Sequence, residues 1–215
     1  MPMSGNKEKS TRMSGAKRRR HLLDAAATIF GSKGFSGTTT KEIANSAHVN
    51  ESLIFKHFDN KDHLYECVLR ERELDAVYLR FIETIRDAIR ARNDRKVFDA
   101  IARLILHKHR SNSDVYRMVL FSVLEKRPSV FELLKKQMQP MIDEVAEYIR
   151  SRTKDGDLNC PDPELYVIAL IGMVSHQAMI GEIFTEMDTI PDDERALRSY
   201  TQIILDSMRR SETRC

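Results

Sequence analysis

Residues 38–61 read TTTKEIANSAHVNESLIFKHFDNK and hold the chain's most suggestive set of groups for meeting a polyanion and the base pairs inside it. Glu51, Ser52, Leu53 and Lys56 could reach base edges: a carboxylate accepts from cytosine N4, a hydroxyl bonds many edges, and Leu touches a thymine methyl. Thr39, Lys41, His57 and Lys61 are suited to phosphate. Thr39 and Lys61 fall where helices are expected to begin, and helix N-termini gather anions with free N–H groups and partial positive charge. Each has a plainer alternative, Thr39 as a cap alone and the others as solvated surface residues. Spacing by itself does not separate a DNA reader from an ordinary helical hairpin.

Other chemistry finds little footing. No Ser/His/Asp order with a supporting Gly motif, no phosphate-cradling Gly loop and no carboxylate pair stands out, so an enzyme is not expected. His107 and His109 in AIARLILHKHR are two apart, which on a helix points them to different sides, so no metal and no cofactor are expected. Cys67, Cys160 and Cys215 are an odd number at wide spacing, which fits a reducing cytoplasm. A thiol sensor at Cys67 or Cys160 would need a low-pKa environment that the sequence does not display.

The elements that would position the reader are helical. In KRRRHLLDAAATIFGSKGF, Leu22, Ala26, Ile29 and Phe30 recur on one helical face, and Gly34 stands at the left-handed stop. Thr39 and Glu42 have the spacing of a capping box, with Ile43, Ala44 and Ala47 as a narrow apolar face. Asn50 caps a third helix, Val49 can staple onto Ile54, and Ile54 and Phe58 point inward together. Two short helices joined by about four residues make a helix-turn-helix. A long helix then runs to about Asn93, followed by helices near 97–110, 114–125, 130–153, 163–186 and 192–210.

The fold class is therefore all-α, with about nine helices and no β alternation. The expected organisation is a disordered basic arm over 1–16, a helix-turn-helix domain over 17–62 and a helical domain over 63–215. Residues 1–61 carry 11 Lys/Arg against 5 Asp/Glu, while the rest carry 24 against 27, so a polyanion would meet the N-terminal end. Lys17, Arg18, Arg19 and Arg20, with Lys7, Lys9 and Arg12 upstream, could follow a DNA backbone or enter a minor groove, or simply form a solvated tail. The longest apolar run, 166–174, is far short of the roughly 20 residues that span a bilayer, so no membrane partner is expected.

Residues 22–64, LLDAAATIFGSKGFSGTTTKEIANSAHVNESLIFKHFDNKDHL, resemble the tetracycline-repressor (TetR/AcrR) family of bacterial transcription regulators. The family pattern is met without a gap at Ala25, Ala26, Phe30, Gly34, Phe35, Thr38, Thr39, Ile43, Ala44, Phe55, Phe58 and Lys61. The chain departs from it at His48, where the family usually has Gly, and at Phe55, where a Tyr hydroxyl commonly bonds phosphate. His tolerates a left-handed turn better than most residues. Phe55 is expected to keep the packing and forgo the phosphate bond.

The resemblance implies an Ω-shaped homodimer with an N-terminal three-helix DNA-binding domain and a C-terminal domain for ligand binding and dimerisation. On that expectation, Met118, Phe121, Met138, Met141, Tyr166, Met173, His176 and Gln177 are candidates for the ligand pocket, though Met and Phe at helical spacing also build cores. Ala169, Gly172, Ser175, Ala178 and Met179 of the eighth helix, with Leu197, Ile204 and Met208 of the last, are candidates for the dimer interface, with packing inside one subunit as the alternative. The expected function is a ligand-responsive regulator, a repressor, that binds a palindromic double-stranded operator and is released by a small-molecule inducer, with the helix after Lys61 as lever. A nonspecific architectural DNA-binding protein that uses the basic arm is the rival reading.

Overall fold

In the computed structural model, which describes residues 14–71, 76–183 and 192–209, Ser14 starts the first helix by accepting from the Lys17 N–H at 3.4 Å. Helix α1 (Gly15–Lys33) therefore begins two residues before Lys17, inside the segment expected to be an arm; residues 1–13 lie outside the described ones. It ends at Gly34, where φ is 72° and the N–H returns to the Phe30 carbonyl. Helix α2 (Thr40–Ser46) opens on the Thr39–Glu42 capping box. A 3-10 turn, Glu51–Leu53, capped by Asn50, runs straight into α3 (Ile54–His57). Between α2 and that turn, His48 takes φ 53°, filling the place where glycine would be ordinary.

Helices α4 (Lys61–Glu71) and α5 (Ala76–Arg90) occupy the stretch expected to be one long helix; residues 72–75 between them are not described. The chain continues through α6 (Asp94–Ser111), α7 (Ser113–Leu124), α8 (Pro128–Lys154), α9 (Pro163–Ile183) and α10 (Asp193–Ser207), ten α-helices and no strand among the described residues. The expected ends of the last two helices, 184–186 and 210, fall outside them, as does Cys215.

Two cores form. The first joins Leu22, Ala26 and Phe30 of α1 to Ile43, Ile54 and Phe58 of the reader and to Leu64, Tyr65 and Val68 of α4. By packing, α4 thus belongs with the N-terminal unit, past the boundary expected at residue 62. The core is closed by Val115 and Met118 of α7 and Val130 of α8. The second core lies among α5, α6, α8, α9 and α10, around Phe98, Ile101, Leu104, Ile149, Leu170 and Leu197.

The seam between the two units is α1 on α7, a more extensive pairing than α1 makes with α2 or α4. A Cβ on Gly31 would come within 2.8 Å of the Asp114 carbonyl oxygen, and one on Gly34 within 2.9 Å of the Phe121 ring. Only bare backbone allows this approach. Polar groups then fix the register. Buried Tyr65 donates its hydroxyl to the Met118 carbonyl at 2.7 Å and shares a bond with Ser122 Oγ at 2.9 Å; Thr28 Oγ1 donates to Asp114 at 3.1 Å; the Ser36 N–H donates to Glu125 at 2.9 Å.

Several residues expected at a dimer interface are placed elsewhere. Ala178, Leu197, Ile204 and Met208 are buried within this subunit's own packing, because α10 lays that face on α6 and α9. Ala169 and Gly172 are exposed, and Met179 is half-buried. Helix α9 is long and apolar enough over residues 163–180 to cross a bilayer by length and composition, at a mean hydropathy of 1.3. Only a third of that window is buried, since the opposite side, with Leu165 at 57% and Ile168 at 51% exposure, has no cover here.

The Gly31→Ala substitution sets two effects against each other. Alanine favours the helix by about 1 kcal/mol, but forcing a methyl against the α7 backbone costs about 1–3 kcal/mol. A net loss of stability, read as a lower urea midpoint, is expected; a raised midpoint would contradict the close α1–α7 contact.

Candidate functional site

The reader presents a mixed face. With Ile54 and Phe58 fully inside, Ser52, Phe55 and Lys56 are exposed, Phe55 at 51%, and His57 is half-buried beside Phe58. Two residues expected to read bases are partly occupied within the fold. Glu51 accepts from Thr40 Oγ1 at 2.5 Å, which ties the 3-10 turn to the start of α2, and Leu53 packs against the N-terminal core. Asn50 is exposed and spends its side-chain oxygen on the Ser52 N–H at 2.9 Å.

Around the reader, Thr39 and Lys41 stand exposed at the start of α2. Glu42 completes the cap there, and its pairing with Lys33 at 2.5 Å, followed by its bonds from Thr39, holds its carboxyl down to about 2. The group is ionised through the ordinary carboxylate range, so the cap survives until the pH nears that value.

Lys61 has a different place from the phosphate contact expected of it. Its ammonium donates to the Thr38 carbonyl at 2.8 Å and the Phe35 carbonyl at 2.9 Å, and lies 4.1 Å from the Phe35 ring centroid. It thereby gathers the carbonyls of the α1–α2 loop. Arg19 is likewise drawn in, paired with Glu71 and donating to Cys67 Sγ at 3.4 Å, with its guanidinium over Phe58. Lys17 and Arg20 are exposed and Arg18 is half-buried. Burial raises the Cys67 and Cys160 thiols above their ordinary pKa, the opposite of what a thiolate sensor needs.

A cavity of about 250 Å³ lies among α5 to α9. Of the eight residues expected to line a pocket, Met138 and Met141 do so. Met118 closes the N-terminal core and Phe121 meets Gly34, because helical spacing on α7 sends Val115, Tyr116 and Val119 to the cavity and 118, 121, 122 and 125 towards the N-terminal unit. Tyr166 and Met173 pack on the C-terminal core, buried Gln177 accepts from the Tyr200 hydroxyl, and His176 is exposed.

Ser175, expected at a dimer interface, lines the cavity and bonds His109 Nε2 at 2.9 Å. His107 turns away to Ser111 and Phe81. Burial, then the charges of Lys108 and Arg110, hold His109 down to about 4, so it is neutral at neutral pH. Besides Ser175, the cavity's polar groups come from Tyr78, Lys108, His109, Asn112, Tyr116 and Gln137. None was picked out for this role from the sequence. Polar residues on the inner faces of α6, α7 and α8 were the available signal, but without the helix crossings nothing marked those faces as facing one space.

Comparison with known proteins places both halves. A model described as "Bacterial regulatory proteins, tetR family" matches residues 22–68, and one described as "AefR-like transcriptional repressor, C-terminal domain" matches 95–206, just over half the chain. The HTH-type transcriptional activator FasR of Mycolicibacterium smegmatis is 26% identical over 177 residues, covering 80% of this chain and 75% of FasR. The Bacillus subtilis regulator YvkB is 46% identical over 52 residues, so this chain covers only 28% of its length in that match. Among solved structures, the transcriptional regulator FadR from Bacillus subtilis, in complex with stearoyl-CoA, shares the fold at a TM-score of 0.68 and 12% identity, over 88% of this chain and 98% of FadR.

The two lysines near the reader should separate by measurement. Lys41→Ala is expected to leave the urea midpoint unchanged and to reduce the slope of log affinity against log salt by about 0.9. Lys61→Met is expected to cost about 2 kcal/mol of stability through its two lost charge-assisted bonds, with the salt slope unchanged. The opposite assignment of effects would contradict this division.

Proposed function

The chain belongs to the TetR family of bacterial transcription regulators, and from that premise we propose that it is a ligand-responsive repressor, which binds a palindromic operator as a homodimer and lets go when a small molecule fills the cavity. The observation that carries this reading is the placement of α7, which lines the cavity with Val115, Tyr116 and Val119 and meets the N-terminal unit with Met118 in its core, Ser122 bonded to Tyr65 of α4, and the backbone at Asp114 against Gly31 of α1. A change in the cavity wall is thereby a change in the seat of the DNA-binding unit. Helix α4, first expected to be the lever, places its buried residues in the N-terminal core and supplies none of the described cavity wall.

In this reading Ser52, Phe55 and Lys56 meet base edges, the Phe55 ring offering apolar contact to a thymine methyl. Thr39, Lys41, His57 and the basic start of α1 meet phosphate. Glu51, Asn50 and Lys61 hold the reader's shape. The partner across the exposed side of α9 is a second copy: Leu165, Ile168, Ala169 and Gly172 form an apolar strip there, and Ile203 of α10 is 55% exposed. Gly172 has open space where a Cβ would be, which admits another helix closely. Such two-fold pairing would match an inverted repeat.

The repressor sign is supported by the description of the matching C-terminal model, although FasR is described as an activator. Ligand control is supported by the cavity and by the acyl-CoA complex of FadR. The site of action would be the cytoplasm, where the DNA is.

Selection of bound duplexes from a random pool by the full chain, at near-physiological salt, tests the DNA-reading half. One enriched inverted repeat is expected, its half-sites centred one helical turn apart, about 34–36 Å, or a multiple of it. Salt-sensitive binding with no enriched motif would favour the architectural reading instead.

A further inference from the structure

Most polar groups in the cavity wall are already engaged within the fold. Lys108 Nζ lies 4.8 Å from the centroid of the Tyr78 ring, and Lys108, Tyr78, Asn112 and Tyr116 each have further partners of their own. His109 Nε2 and Ser175 Oγ bond each other at 2.9 Å, and the His109 ring stands edge-on to Tyr116 with centroids 4.1 Å apart. Gln137 differs. Its Oε1 is buried and has no hydrogen-bond partner among the described residues. A buried polar atom left so carries the full cost of its desolvation.

That cost is one a ligand can remove. Rotation about the last side-chain bond exchanges the amide's acceptor oxygen with its N–H donors, and a hydroxyl, which both donates and accepts, satisfies either arrangement.

Charge sets a second limit. The described lining holds neither Asp nor Glu, and His109 is neutral at neutral pH. A carboxylate brought in here would compete for an ammonium that is already engaged, whereas a ligand ammonium would meet Lys108 as a like charge. Either ion would lose hydration that the rest of the wall, from Leu104, Val119, Leu134, Met138, Met141 and Ile171, does not replace.

Size sets the third. An apolar cavity of about 150 Å³ takes up benzene, so one of about 250 Å³ has room for about ten non-hydrogen atoms. A long acyl chain joined to coenzyme A, as in the complex of the structural neighbour FadR, is several times larger.

We propose that this cavity takes a small neutral hydroxyl compound, its apolar body among the Met and Leu side chains and its single hydroxyl bonded to the Gln137 amide. The proposal rests on the reading of the cavity as the ligand site and narrows it to one chemical class.

Equilibrium dialysis of the full chain against para-isopropylphenol, para-cymene, para-isopropylbenzoate and para-isopropylbenzylamine tests this, repeated on Gln137→Leu and Met138→Trp. The four probes share a body and differ in one substituent, which is a hydroxyl, a methyl, a carboxylate or an ammonium group. The phenol is expected to bind at least tenfold more tightly than the benzoate or the amine. Gln137→Leu should weaken the phenol at least tenfold relative to para-cymene, whose retained binding reports an intact cavity. Met138→Trp, in protein of parent helix content, should abolish the binding of both. A benzoate or amine that binds as tightly as the phenol, or a phenol-to-cymene ratio unchanged by Gln137→Leu, would overturn the hydroxyl assignment. If Met138→Trp still removes the binding in that case, the cavity stands as the ligand site. Binding that Met138→Trp leaves untouched, or no binding of any probe, would overturn the ligand-site reading as well.

Discussion

Helix α1 and helix α7 touch backbone to backbone, and the rest of the molecule is arranged around that contact. Gly31 and Gly34 permit the approach, and Tyr65, buried on α4, uses its hydroxyl to bind the Met118 carbonyl and Ser122 across it. A buried hydroxyl that lost those partners would carry the full cost of desolvation, so the register of α4 on α7 is strongly held. The short reader helices cannot stand alone at seven and four residues. Their stability comes from a core that α7 and α8 close with Val115, Met118 and Val130. The DNA-binding unit is therefore not a separable appendage, because part of its core belongs to the elements that wall the cavity.

Charge follows the same division between holding and reaching. Arg19 and Lys61 lie in the most basic stretch of the chain, yet both turn inward, one to Glu71, Cys67 and Phe58, the other to two loop carbonyls and Phe35. Lys17, Arg20, Lys41 and Lys56 remain on the surface. Control by a ligand in the cavity, as proposed, would be energetically modest work. Moving a two-state equilibrium from 1:99 to 99:1 takes about 5.5 kcal/mol of differential affinity, and the best small ligands bind with up to about 1.5 kcal/mol per non-hydrogen atom. A minor share of that binding energy, directed at one position of α7, is sufficient.

Much of the N-terminal half was legible in the sequence because its signals are local. The Thr39–Glu42 box, the Asn50 cap, the left-handed Gly34 and His48, and the inward pair Ile54 and Phe58 all depend on neighbours within a few residues. The C-terminal half was legible as helices and not as a site. Whether Met118 faces a cavity or a core depends on which helix crosses it, and no spacing along α7 carries that information. Helical periodicity rightly separated His107 from His109, but it could not show that His109 meets Ser175 and Tyr116 beside an open space. Leu197, Ile204 and Met208 had the right period for an interface, and the same period serves a subunit's own interior.

The account stands on α7 as the shared element, and a double-mutant cycle on operator affinity tests it without needing the natural ligand. Met138→Trp fills the cavity from α8, and Gly31→Ala disturbs α7 from α1, so neither substitution alters α7 itself. Distant sites with no shared partner add within about 0.5 kcal/mol. The account predicts that these two do not add, with an interaction beyond that limit in variants that keep the parent helix content. Additive effects would mean that cavity and reader are independent, and would contradict it.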